Sequence, residues 1–229
     1  PPTNWTITKT EEPKDANQNP FRREVANNSV YFDVKVPQNP SLTQPYFFEN
    51  PRNNYLYDWK EFHENKSLPF QQPLVSAQVI MVINGVEVSF FQPIEYRFAD
   101  DIRGEIRRKL NIVPALSVNF DQKLLVIPQS EKPQVKRVVM SITNNSSKPI
   151  SGNAGLNIVG LEEIDWKYSA SSPTFNLKTK GEKTAITFDV TIPAKTKAGN
   201  YNIYAQAMVG ESLATNEMNV IAYPHIQTH

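Results

Sequence analysis

Thr184-Ala185-Ile186-Thr187-Phe188-Asp189-Val190-Thr191-Ile192 alternates along its whole length, and it decides the fold class. Ile186, Phe188, Val190 and Ile192 fall on one side; Ala185, Thr187, Asp189 and Thr191 fall on the other. Successive side chains of a strand point to opposite faces, so this period of two predicts a strand with one face in a core. Its β-branched and aromatic content suits a pleated, half-buried surface. Pro193 ends it, because proline cannot donate to a sheet ladder.

The same signature recurs on both sides of this strand. Downstream, Tyr201 to Met208 and Met218 to Ala222 read as strands. Upstream come Ile112 to Phe120, Leu124 to Ile127 ending at Pro128, and Val135 to Thr143. Asn144-Asn145-Ser146-Ser147 makes a turn, and Leu156 to Val159, Trp166 to Ser169, and Phe175 with Leu177 follow it. Seven or so short strands in roughly 110 residues is the inventory of an immunoglobulin-like sandwich. In the first half, Val30 to Val36 stops at Pro37. Val79 to Ile83, Asn84-Gly85, then Val86 to Phe91 reads as a hairpin, since Asn-Gly accepts the positive φ angles of a type I′ turn. Its second strand is expected to run past Pro93 through Ile94, Tyr96 and Phe98. Asp100 to Arg108 is charged, holds Gly104, and reads as a connector or a single helical turn. The expectation is therefore an all-β protein of two consecutive immunoglobulin-like antiparallel β-sandwich domains, 1–110 and 111–229, the first truncated at its N-terminal edge.

Composition narrows the function. The 229 residues include 18 prolines and only 8 glycines, so helices are interrupted throughout. With 24 basic and 23 acidic residues the formal charge is +1, too small a field to gather nucleic acid or anionic membrane. There is no cysteine, which excludes disulfides, thiolate metal sites and a cysteine nucleophile. No apolar run reaches the roughly 18 residues of a membrane-spanning helix. The chain opens on Pro1-Pro2 and is expected to be a segment of something longer.

Residues able to run a reaction do not converge in the sequence. His63, His225 and His229 lack metal-ligand spacing. No strand-turn-helix elbow presents a serine to His63. Asp100-Asp101 and Glu162-Glu163 are adjacent carboxylates, which a strand sends to opposite faces. The expectation is a non-enzyme with no cofactor and no metal. One cluster stands out: Tyr46, Phe47, Phe48, Tyr55, Tyr57, Trp59 and Phe62, in an Asn/Pro-rich crossover. Exposed rings of this kind stack on sugars. Buried ones strap a crossover to its domain or to a neighbouring one. Tyr46, Phe47, Tyr55, Tyr57 and Trp59 are thus candidates for glycan or interdomain contact, and the strap is the favoured reading; Trp166 is expected in the core.

Two phrases resemble known families. Val190-Thr-Ile-Pro-Ala-Lys-Thr-Lys-Ala-Gly-Asn-Tyr201 resembles the strand-proline-turn-Gly-x-Tyr signature of the alpha-galactosidase-associated sandwich domain, with Tyr201 as a corner bonding back to the turn. Leu42-Thr43-Gln44-Pro45-Tyr46-Phe47-Phe48-Glu49-Asn50-Pro51 with Tyr55-Leu56-Tyr57 is similar to a run in long bacterial PIG-L/LmbE-like deacetylases. So are Pro93-Ile94-Glu95-Tyr96-Arg97-Phe98-Ala99-Asp100-Asp101-Ile102-Arg103-Gly104-Glu105, Val113 to Asn119 and Tyr223-Pro224-His225-Ile226. Phe47 stands where that run has Trp, and Ala99 to Ile102 replaces its Asp-Pro-Val phrase. Such enzymes hold zinc in a separate N-terminal domain through a His-Pro-Asp-Asp motif, which this chain lacks, so no catalytic residue carries over. The resemblance implies an accessory scaffold region of a bacterial N-acetylglucosaminyl deacetylase, periplasmic or extracellular, whose partners are the other domains of its parent chain. The alternative is a carbohydrate-binding or cell-surface adhesion module.

Overall fold

Ile186, Phe188, Val190 and Ile192 are all buried, as the alternation of their strand predicts. A computed structural model describes residues 4–11, 30–37, 40–50, 52–58, 68, 71–160, 165–223 and 225. Among them every regular element is a strand, apart from one 3-10 turn at Tyr46–Phe48, so the all-β class holds. The chain divides into two compact units, residues 113–219 and residues 1–112 with 220–229.

The unit 113–219 is a sandwich of two four-stranded antiparallel sheets. Its strands are β7 (Leu116–Phe120), β8 (Gln134–Asn144), β9 (Ile150–Val159), β10 (Lys167–Ala170), β11 (Thr174–Leu177), β12 (Lys183–Ile192), β13 (Asn202–Val209) and β14 (Ser212–Ala214). One sheet runs β10-β12-β8-β7 and the other β11-β9-β13-β14. Register puts Phe188 opposite Val138 and Ile186 opposite Met140, so the inward residues of β8 and β12 form one apolar layer. Leu156 and Ala154 of β9 lie opposite Ala205 and Ala207 of β13 in the facing layer. Both layers join one core with Leu116, Val118, Phe175 and Leu177.

Two strands expected here differ. Leu124 to Ile127 is irregular, because residues 121–133 form a loop held by side-chain bonds rather than a ladder. The last strand is Ser212–Ala214, and Met218 to Ala222 is not a strand. Val118 N–H donates to Asn216 C=O (3.0 Å) and Met218 N–H to Asn119 Oδ1 (3.3 Å), so that segment is tied through a side chain that period-two reasoning does not see.

The described strands of residues 1–112 form three two-stranded antiparallel ribbons: β1 (Thr6–Thr10) with β2 (Tyr31–Lys35), β3 (Ser76–Ile83) with β4 (Val86–Pro93), and β5 (Glu95–Asp100) with β6 (Gly104–Lys109). The sequence predicts facing sheets here; among the described residues the ribbons stay separate, and only Tyr46 and Val75 are buried apolar side chains. The Asn84-Gly85 hairpin forms as expected, with φ of 51° and 81°. The strand after it breaks at Ile94, whose N–H donates to Val75 C=O (3.0 Å).

The expected connector at Asp100 to Arg108 is instead a hairpin turn and strand β6. The Asp100 carboxylate builds the turn: Oδ1 accepts from Ile102 N–H (3.1 Å) and Arg103 N–H (2.9 Å), and Oδ2 from Arg103 Nη2 (2.8 Å). Gly104 then takes φ 76°, which glycine adopts without strain. The Arg103 guanidinium first, then the two N–H donors, hold the Asp100 carboxyl well below the usual carboxylate range. A depressed folded value means the ionised form steadies the turn above the unfolded pKa of about 3.9, and that contribution is lost as pH falls through the folded value. The expected result is an Asp100 carbon titration midpoint below the ordinary aspartate range by NMR. An Asp100→Asn chain should then show no acid-dependent loss of amide protection in β5 and β6. A normal midpoint would contradict the turn.

Candidate functional site

The aromatic crossover is built around Pro45, which leads into the 3-10 turn through a Phe48 N–H to Pro45 C=O bond of 2.8 Å. Tyr46 is buried and its hydroxyl donates to Leu68 C=O at 2.9 Å. Phe47 contacts Phe48 at 4.7 Å between centroids and Tyr57 at 5.6 Å, with ring planes 60° and 74° apart. The Tyr46 ring meets Phe47 at 82°. Tilted, edge-to-face pairs add about 0.5–1.5 kcal/mol each, and among the described residues they leave no flat surface of coplanar rings. Asn53 and Leu56 pair across a tight turn in which Asn54 takes φ 52°, and Tyr55 is thrown outward, 93% exposed. Of the five candidates, Tyr46, Phe47 and Tyr57 come together, Tyr55 stands apart, and Trp59 lies outside the described residues, as does His63.

A second feature was only half legible. In the β3–β4 ribbon, Val79 faces Phe90, Met81 faces Val88 and Ile83 faces Val86. One face is therefore wholly apolar over three successive pairs, and Ile83 and Val86 are 54% and 63% exposed. The other face mixes Ile80, Val82 and Phe91 with Gln78, Ser89 and Glu87. An isolated two-stranded ribbon is marginal in water, and a contiguous exposed apolar face marks an interaction surface. Alternation in the sequence announces the strands without saying whether anything covers them.

The sandwich has a cleft of about 640 Å³ at one end, between loops 121–133 and 193–201. Trp166 stacks on Tyr201 at 4.7 Å and 24°, and the Tyr201 hydroxyl donates to Lys197 C=O at 3.0 Å, the corner its Gly-x-Tyr setting predicts. Trp166 packs against the core from this side. The polar groups here tie the loops together: Gln129 Nε2 donates to Thr196 C=O (3.2 Å), Gln134 Nε2 to Pro128 C=O (2.7 Å), and Lys195 N–H to Ser130 C=O (2.8 Å). These bonds give the cleft a structural reading.

Among the described residues no three His, Cys, Asp or Glu side chains gather where they could hold a metal. Among the described residues the carboxylates held low are Asp100 and Glu182, both half-buried turn formers; Glu182 accepts from the Thr179 and Lys178 N–H groups. Perturbed carboxylates can mark active sites, but here turn bonding explains them: the Arg103 guanidinium first and then backbone N–H groups for Asp100, and backbone N–H groups first for Glu182. No protein-family model matches the chain, and no curated protein matches it.

Proposed function

We propose that this chain is a non-catalytic accessory module that docks on another domain of its parent protein, consistent with its resemblance to the sandwich region of PIG-L/LmbE-like deacetylases. The observation that carries the reading is the exposed apolar face of the β3–β4 ribbon, with Met81, Ile83, Val86, Val88 and Phe90. Burying such a face stabilises by about 25 cal/mol per Å², and no charged side chain on it opposes desolvation. The tilted ring cluster of Phe47 and Tyr57 supports a strap over a sugar platform. The pairing orders β7-β8-β12-β10 and β14-β13-β9-β11 support an immunoglobulin-like variant, with β11 as an added strand beside β9.

The test is a photo-crosslinking residue at Val88 in the full-length parent. A crosslink to a neighbouring domain is expected, and it should vanish when Met81→Lys charges the face. Reaction with solvent alone would overturn the docking reading. In this chain by itself the same face should bind a hydrophobic dye, and Met81→Lys should lower that signal several-fold.

A further inference from the structure

A smaller pocket of about 250 Å³ lies beside the crossover, within residues 1–112, and its polar groups differ from those of the sandwich cleft. Its frame is pinned. Thr43 N–H donates to Ile112 C=O (2.8 Å) while Ile112 N–H donates to Thr43 Oγ1 (2.8 Å), and Tyr46 forms part of the wall from its buried position. Gln44 Nε2 holds Glu49 Oε2 at 2.9 Å, orienting that carboxylate. By contrast Asn4, Trp5, Ser41, Gln71 and Gln72 line the pocket, and among the described residues their side chains make no hydrogen bond. Trp5 and Gln71 are half-buried, where an unbonded indole N–H and carboxamide are costly unless something from outside bonds them.

From this we infer that the pocket lined by Trp5, Asn4, Gln71, Gln72 and Glu49 binds one pyranose unit of a neutral saccharide. Each carboxamide offers a donor beside an acceptor, the complement of two neighbouring hydroxyls. A carboxylate accepts two such hydroxyls at once, and charge-assisted bonds of this kind are short and strong. The Trp5 ring supplies an apolar face for the C–H side of a sugar ring. Among the described residues no lysine or arginine lines the pocket, which favours a neutral unit over phosphorylated or uronic acid units. Among the described residues no ring faces Trp5, so a planar base would be stacked on one side only, while a pyranose needs a single ring. The volume, just under the roughly 300 Å³ where drug-sized sites begin, suits one residue of a glycan and leaves its neighbours outside. The inference is independent of docking through the ribbon, whose residues are separate.

The test titrates the isotope-labelled full chain with methyl β-D-glucopyranoside and follows the indole N–H signals of Trp5, Trp59 and Trp166, with the Trp5 signal identified by its loss in Trp5→Phe. A saturable shift of the Trp5 indole is expected, with a Kd of about 1 mM or weaker, as befits a single exposed unit. Gln71→Ala should weaken it about tenfold, and Gln72→Ala, at an exposed position, gives a second variant that folding cannot confound. Three results would each overturn the site: no shift of the Trp5 indole, a shift confined to Trp59 or Trp166, or affinity unchanged in both glutamine variants. A saturable response to adenosine with none to the glycoside would also overturn it. Failure here leaves the Val88 crosslink untouched, and the reverse also holds.

Discussion

Replacing Phe188 by alanine is expected to remove about 3–5 kcal/mol from the stability of the sandwich. Among the described residues Phe188 is the largest of the fully buried side chains, at 0% exposure, and sits in the middle of β12. Val138 lies opposite it on β8, and Tyr168 approaches its ring edge-on at 5.8 Å. Truncation removes the transfer energy of the ring and leaves a cavity that strands on both sides hold open. Domains are stable by only about 5–15 kcal/mol, so this single change takes a large share. Because the chain has two units, the right readout is amide exchange in β8 and β12 within the full chain rather than one melting temperature. Exchange in those strands should accelerate by two orders of magnitude or more, with β3 and β4 unchanged. Unaltered protection of β12 would mean the core does not depend on this ring.

Asn144→Ala should be the next most damaging change, at about 1–3 kcal/mol for each buried group left without a partner. Asn144 closes β8 and is 0% exposed. Its Nδ2 donates to Lys148 C=O (2.8 Å) and Leu177 C=O (3.4 Å), while Oδ1 accepts from Ser146 N–H (2.9 Å) and Ser146 Oγ (3.0 Å). Its backbone is bonded as well: Asn144 N–H donates to Glu182 C=O and Gly181 N–H to Asn144 C=O. One side chain thus joins the β8–β9 turn to the end of β11, on the other sheet. Asn144→Asp separates shape from hydrogen bonding. It keeps the outline but sets an acceptor, charged at neutral pH, against two carbonyl oxygens. That carboxyl should have a raised folded pKa, so the variant's deficit relative to Asn144 shrinks as pH falls and the protonated form donates again. Denaturant titration at pH 7 and pH 5 checks the sign; a deficit that grows toward pH 5 would contradict this geometry.

Much of the sandwich was legible. Strands β8, β9, β12 and β13 carry period-two patterns that need no partner to be recognised, because each has one face that water excludes. The same patterns marked the Asn84-Gly85 hairpin, whose turn chemistry is local. What local patterns missed was structure held by side chains. Asp100 makes a turn from a charged segment that looks like a linker, and Asn119 fastens Met218 and Asn219 where alternation suggests a strand. For the crossover, composition placed an aromatic cluster but could not orient its rings, since the tilt of Phe47 against Tyr57 depends on a turn at Asn53–Leu56 that brings position 57 back. The pocket beside it joins residues near positions 5, 43, 71 and 112, too far apart in the chain for any motif to declare.

By itself, then, the amino-acid order determined which residues alternate, where proline and Asn-Gly end each run, and that no cysteine is present for thiol chemistry. Those properties act within a few residues and survive any arrangement of the chain. Whether an apolar face is covered, as in β12, or left bare, as in β3 and β4, was decided only by the tertiary structure. So was the role of Asn144, which sits in an Asn/Ser turn and yet is fully buried. Burial depends on what a distant segment places opposite, and the strands of this chain read alike before that segment arrives.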